Sequence, residues 1–248
     1  MIRSRPPEPP SCRRQMSAWK AVAAGIAASA GSLAGLSRRP ASALKYRQIR
    51  LPMKGGCCEH PPVLVTFTRS ETGSTLATIS RHDGVIVALP GYDKKHRVPH
   101  DLAHFATERH LQLSGGVFGS IASGGMFSNM RVVAGKPRHD AAARSSSVLG
   151  ANKGALGLAE VMADVVHNAV EHGGGEQKAL IRARETWESL AGGPFPWSDQ
   201  QLTGAIHYLA ELAANYQRDS VVQAVWPDSL SDPPPSRSRI KRGRRGRC

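Results

Sequence analysis

Regular alternation of hydrophobic and polar positions begins near Pro62. Val63-Leu64-Val65-Thr66-Phe67-Thr68 is rich in β-branched and aromatic side chains and predicts a strand. Residues 71–74 form a turn, and residues 75–80 predict a second strand. His82-Asp83-Gly84 is a hairpin signal, because Gly84 can take a positive φ at no steric cost. Residues 85–89 then form a third strand, ended by Pro90-Gly91. The three make an antiparallel meander, which is not stable alone and needs one face covered.

The period then changes to that of helices. One helix starts at Pro99, since proline is tolerated at the first helical position, and stops at Ser114-Gly115-Gly116. Residues 117–122 are a short apolar helix or turn between glycine pairs. Residues 134–153 are small, basic and serine-rich and read as a mobile loop. Over 156–172, Leu158, Val161, Met162, Val165, Ala169 and Val170 form an apolar stripe that three glycines end. Residues 176–190 carry Leu180, Ala183, Trp187 and Leu190 on one side. The last helix has the clearest start: Ser198 with Gln201 is a capping box, and Trp197 with Leu202 a hydrophobic staple. Its buried stripe is Leu202, Ile206, Leu209, Ala213 and Tyr216, and residues 221–226 follow as a strand or extended segment. A three-stranded antiparallel meander followed by four or so packed helices is an α+β order, read as one domain over 61–227 with disordered ends.

Charge at first changes this picture and then restores it. The formal net charge of +14 suggests a polyanionic partner. Residues 1–52, however, hold ten Lys/Arg against Glu8, and residues 228–248 hold seven against two Asp, while residues 53–227 are neutral overall. Binding to nucleic acid or another polyanion would therefore come from the ends, above all residues 237–247, and not from the domain. Residues 1–60 are Pro-, Arg- and Ala-rich without a stable period, and 228–248 hold too little apolar surface to offset the entropy of ordering, so both ends read as disordered. Cys12, Cys57, Cys58 and Cys248 form no C-x-x-C pair, which excludes a cysteine zinc site and a disulfide framework from the reading. No run of about 18 apolar residues predicts a transmembrane helix. The expected location is cytoplasmic. Residues 13–43, with Arg13-Arg14 ahead of a small-residue stretch and Ala41-Ser42-Ala43, leave export by a twin-arginine-like signal or organelle import as alternatives. Translation starting at Met53 is a third reading of the same segment.

The chemistry concentrates in the first helix. His100 and His104, four residues apart, place two imidazoles on one face one turn apart, where they can chelate one cation. Glu108 lies four further on, as a third ligand or in reach to hydrogen-bond one. Asp101 takes the place of the glutamate base in H-E-x-x-H, one methylene shorter, and is read as a weak base or as an orienter of an imidazole. Helical winding sets His100, His104 and Glu108 opposite Leu102 and Ala106, so the competing reading is an ordinary solvated face. Further ligands must come from elsewhere. Helix 156–172 offers Glu160, Asp164, His167 and Glu171 along its polar side, and Asp164 and His167 are the expected contributors. Such a His/carboxylate set suits Zn²⁺, Fe²⁺ or Mn²⁺. The glycine-rich stretch 114–125 is expected to approach a ligand closely. No G-x-S-x-G elbow, G-x-G-x-x-G turn or P-loop is present.

His82-Asp83-Gly84, Val98-Pro99-His100-Asp101-Leu102-Ala103-His104-Phe105, Glu108 and Gly115-Gly116-Val117-Phe118-Gly119 together resemble a family of small uncharacterised bacterial proteins. In that family a short meander precedes a PHDLxHFxxE helix and a glycine-rich turn. The resemblance implies domain boundaries and no activity. His100-Asp101-x-x-His104 is also similar to the HDxxH zinc motif of a ubiquinone-biosynthesis family, whose acidic ligand falls twelve residues after the second histidine; here that position is Gly116. The expected function is divalent-metal binding, extending to a metal-dependent hydrolase acting on a small molecule, with Asp101 and Glu108 as its acid–base groups. The alternative is a non-enzymatic module whose basic ends bind a polyanion.

Overall fold

The computed structural model describes residues 61–70, 73–92, 94–191 and 193–231. The readings for residues 1–60, the four cysteines and the basic segment 237–247 lie outside them. Five antiparallel strands, β1 (Val63–Arg69), β2 (Thr75–Ser80), β3 (Ile86–Pro90), β4 (Arg131–Ala134) and β5 (Val221–Trp226), make one sheet in the order β4-β3-β2-β1-β5. The expected meander is its centre. Val65 pairs with Ile79 on one side and with Ala224 on the other. Six helices follow or interrupt it: α1 (His100–His110), α2 (Val117–Ala122), α3 (Ala141–Ala151), α4 (Lys153–Glu171), α5 (Glu176–Leu190) and α6 (Asp199–Asp219). The fold is α+β.

Alternation explains how the sheet meets the helices. Val63, Val65 and Phe67 of β1 and Val222, Ala224 and Trp226 of β5 point inward and are buried. The ring of Phe67 packs edge-on against Phe105 of α1 and Phe118 of α2, with centroids 5.6 and 5.7 Å apart. Trp226 meets Phe105 at 5.5 Å. This aromatic cluster fixes α1 against the sheet, and α4 and α6 pack along its other sides. Leu102 through Glu108 are consequently buried without a break. The solvated-face reading of α1 is thus overturned: the face carrying His104 and Glu108 is covered by protein.

Three other expectations change. Residues 134–153 are not a loop, because residues 141–151 form α3. Small side chains leave no apolar period there, but four alanines favour a helix, and Val148 and Leu149 bury themselves. Buried Ser145 also ties α3 to the chain before β4, accepting a hydrogen bond from the Met126 N–H at 2.9 Å. A fourth strand, β4, joins the edge of the sheet beside the expected meander, all four of its residues exposed. Finally, order continues past Pro227: residues 228–230 form a 3₁₀ turn that buries Leu230. No helix among the described residues is long and apolar enough to cross a membrane.

Candidate metal centre

The site forms where the polar stripe of α4 faces α1. His100 and His104 stand one turn apart, their rings edge-to-face at 4.9 Å. Glu160 of α4 reaches both. One carboxylate oxygen lies 3.4 Å from His100 Nε2 and the other 3.0 Å from His104 Nε2. One ligand atom from each of the three residues lies within 4.8 Å of the others. Tetrahedral zinc holds neighbouring nitrogen and oxygen ligands about 3.3–3.6 Å apart, from metal–ligand distances near 2.0–2.2 Å. The His100–Glu160 separation is of that size, and the His104–Glu160 separation, at 3.0 Å to the other oxygen, is that of a hydrogen bond.

Glu108 occupies a different role. It is fully buried, and its two oxygens accept hydrogen bonds from the Val117 and Phe118 N–H groups at the start of α2, at 2.8 and 2.9 Å. The first of these oxygens also accepts from His104 Nδ1 at 3.1 Å. With Nδ1 donating to Glu108, Nε2 is the nitrogen turned to Glu160. A carboxylate behind an imidazole is the usual support for a metal-ligating histidine. Gly116 makes this approach feasible: a Cβ there would sit 2.3 Å from the Glu108 carboxyl carbon. The glycine at this position therefore serves the acid of α1 rather than replacing an acidic ligand.

The remaining expected residues divide. Asp164 Oδ1 lies 4.0 Å from His100 Nδ1, and that nitrogen is buried with no hydrogen-bond partner. His167 is one step further along the row of rings, 5.3 Å from His100. Its Nε2 donates to the Val98 carbonyl at 2.7 Å, leaving Nδ1 with its lone pair. It falls with His96 and Glu171 rather than with His104. Asp101 is not brought to the imidazoles, because one residue along a helix turns about 100°. Its carboxylate instead sits beside Gly91 at the end of β3, where a Cβ on that glycine would come within 2.5 Å of Oδ2. The glycine-rich stretch packs on protein, not on an open site: a Cβ on Gly115 would meet Ala155, and one on Gly119 or Gly125 the backbone of Ser114 or Ser120.

Electrostatics match the geometry. Burial disfavours a charge on His104, yet the hydrogen bonds to Glu108 and Glu160 outweigh it and push its pKa up to about 10 without a cation. Burial likewise works to raise Glu160, but the hydrogen bonds from His100 and His104 hold it well below the usual carboxylate range. Asp164 is raised, first by burial and then by the charge of Glu160. Burial brings His167 down to about 4, so its imidazole is neutral at physiological pH.

Glu160 is the ligand-position residue that sequence reasoning named on helix 156–172 but did not choose. Its signal was its place four residues before Asp164 on one stripe; which turn faces α1 depends on the register of two packed helices. No protein-family model matches the chain, and neither a curated protein nor a solved structure is similar to it.

Proposed function

We propose that this protein binds a divalent transition-metal cation, Zn²⁺, Fe²⁺ or Mn²⁺, through His100, His104 and Glu160. Glu108 orients His104, while Asp164 lies 4.0 Å from His100 Nδ1 without a hydrogen bond to it. The carrying observation is the convergence of two imidazoles from α1 and one carboxylate from α4, with the rear nitrogen of His104 already held by a buried acid.

The competing reading is an ion cluster without metal, His104 being an imidazolium between two carboxylates. It accounts for His104 and Glu160, and metal uptake decides between the two readings. The charged neighbours that act on Glu160 and Asp164 are imidazoles and each other, an acid-rich setting that favours a cation. Two histidines and one carboxylate are three ligands, which leaves a position for water or a small-molecule ligand. A metal so held supplies Lewis-acid chemistry, the basis for a hydrolase reading. In that reading Asp164, partly exposed and close to His100, replaces Asp101 as the candidate base.

Metal uptake tests the proposal. Full-length protein stripped with chelator and dialysed against Zn²⁺ should retain zinc, and the His100→Ala/His104→Ala pair should lose one equivalent. Because His104 is buried, Glu160→Gln serves as a milder variant. It should stay folded by circular dichroism and bind at least 100-fold more weakly. Stripped protein that takes up none of Zn²⁺, Fe²⁺ or Mn²⁺ would overturn the proposal.

A further inference from the structure

The row of imidazoles does not end at His100. His167 of α4 meets His100 at 5.3 Å, and His96, on the segment before α1, meets His167 at 5.2 Å, both edge-to-face. His96, His167 and Glu171 bring one ligand atom each within 4.8 Å of one another. We infer that these three residues form a second, separate site for a divalent transition-metal cation.

This site is built in the same manner as the first. His167 gives its Nε2 proton to the Val98 carbonyl at 2.7 Å, which fixes the ring and leaves Nδ1 as the free donor atom. Glu171 accepts from the N–H groups of Arg97 and Val98 at 2.9 and 2.7 Å, one on each oxygen. Each oxygen keeps a lone pair, and Oε1 lies 3.9 Å from His96 Nδ1. The segment carrying His96 is strapped to α4 by those bonds and by the Arg97 guanidinium on the Val170 carbonyl, and to α6 by Gln217 on the Arg97 carbonyl. A residue on a loop is thus held beside a helix with its ligand atom in range, as a preformed metal site requires.

The two centres are distinct. The two sets share no residue, and their carboxylates, Glu160 and Glu171, stand eleven residues apart on one helix although the rings of His100 and His167 touch at 5.3 Å. Co-catalytic metal pairs stand about 3.5–4 Å apart across a shared ligand. The second ion is therefore an independent one. His96 is 30% exposed, against 13% for His100 and 3% for His104, so its imidazole is the least enclosed of the ligands and the second ion is expected to be the weaker.

Stoichiometry separates this inference from the proposal above. Stripped full-length protein is titrated with Zn²⁺ by calorimetry, and the bound metal is counted after dialysis. Wild-type protein should bind two equivalents, the second at least tenfold more weakly. His96→Ala, at a partly exposed position, should bind one, with the tighter affinity unchanged. Glu160→Gln should weaken only the tighter event. One equivalent in both wild-type and His96→Ala protein would overturn the second site and leave the first standing. Two equivalents that persist in His96→Ala would also overturn it. Loss of one equivalent in His96→Ala with none lost in Glu160→Gln would uphold the second site and refute the first.

Discussion

At the scale of single residues, Glu108 carries the most structure for its size. It is a fully buried carboxylate that satisfies two N–H groups of α2 and one imidazole nitrogen. In Glu108→Gln an amide N–H must face one of those donors. A buried donor left unsatisfied costs about 1–3 kcal/mol, which urea denaturation of the metal-free protein would register. Metal affinity should fall by roughly 10–100-fold in the same variant, as it does when the group behind a ligating histidine is lost. His104 gives a pH dependence with a defined sign. Its folded-state pKa of about 10 lies above the unfolded value near 6.5. The stability it contributes without metal is therefore present in full below about pH 6.5 and is lost as the pH rises to about 10. In chelator, the urea midpoint should fall across that window, and Glu160→Gln should flatten the fall; a wild-type midpoint that stays level would contradict the assignment. The sequence made His100 and His104 legible, because four residues always share a helix face. Glu108 was legible as a candidate but not as the orienter, since that role depends on where α2 begins.

At the scale of elements, local rules worked where one residue type decides. The Ser198–Gln201 capping box at the start of α6 is present as expected, with the Gln201 N–H donating to Ser198 Oγ at 3.2 Å. Ser198→Ala should cost about 1 kcal/mol of thermal stability and leave metal binding unchanged. Reading failed where small residues carry a helix: α3 gains its apolar contacts from Val148 and Leu149 alone and is secured by Ser145, a residue type that favours loops in isolation. β4 pairs with β3 through backbone atoms, which no side-chain pattern announces. Gly116 joins the two scales. A methyl there collides with the Glu108 carboxyl, so Gly116→Ala should shift that carboxylate, weaken zinc binding and lower the melting temperature together. A variant with wild-type zinc affinity would show that Glu108 does not govern His104.

For the whole molecule, the aromatic cluster around Phe67, Phe105 and Trp226 places α1 at the centre of the fold, enclosed by the sheet, α4 and α6. The α+β order was readable from period alone; the enclosure was not, because it arises from the packing of α4 on a face that winding had marked as polar. A cation at the α1–α4 seam would hold the two helices together, so binding should stabilise the entire domain. At a free zinc concentration 100 times the dissociation constant, the gain is about 2.7 kcal/mol, visible as a dose-dependent rise in melting temperature. His100→Ala/His104→Ala protein should lose that part of the rise. The most direct measurement is anomalous X-ray diffraction at the zinc absorption edge, on crystals of the full chain grown with Zn²⁺. The account predicts a peak about 2.0–2.2 Å from His100 Nε2, His104 Nε2 and a Glu160 oxygen, with Glu108 still on His104 Nδ1. Ordered His104 and Glu160 side chains with no anomalous peak between them would contradict it.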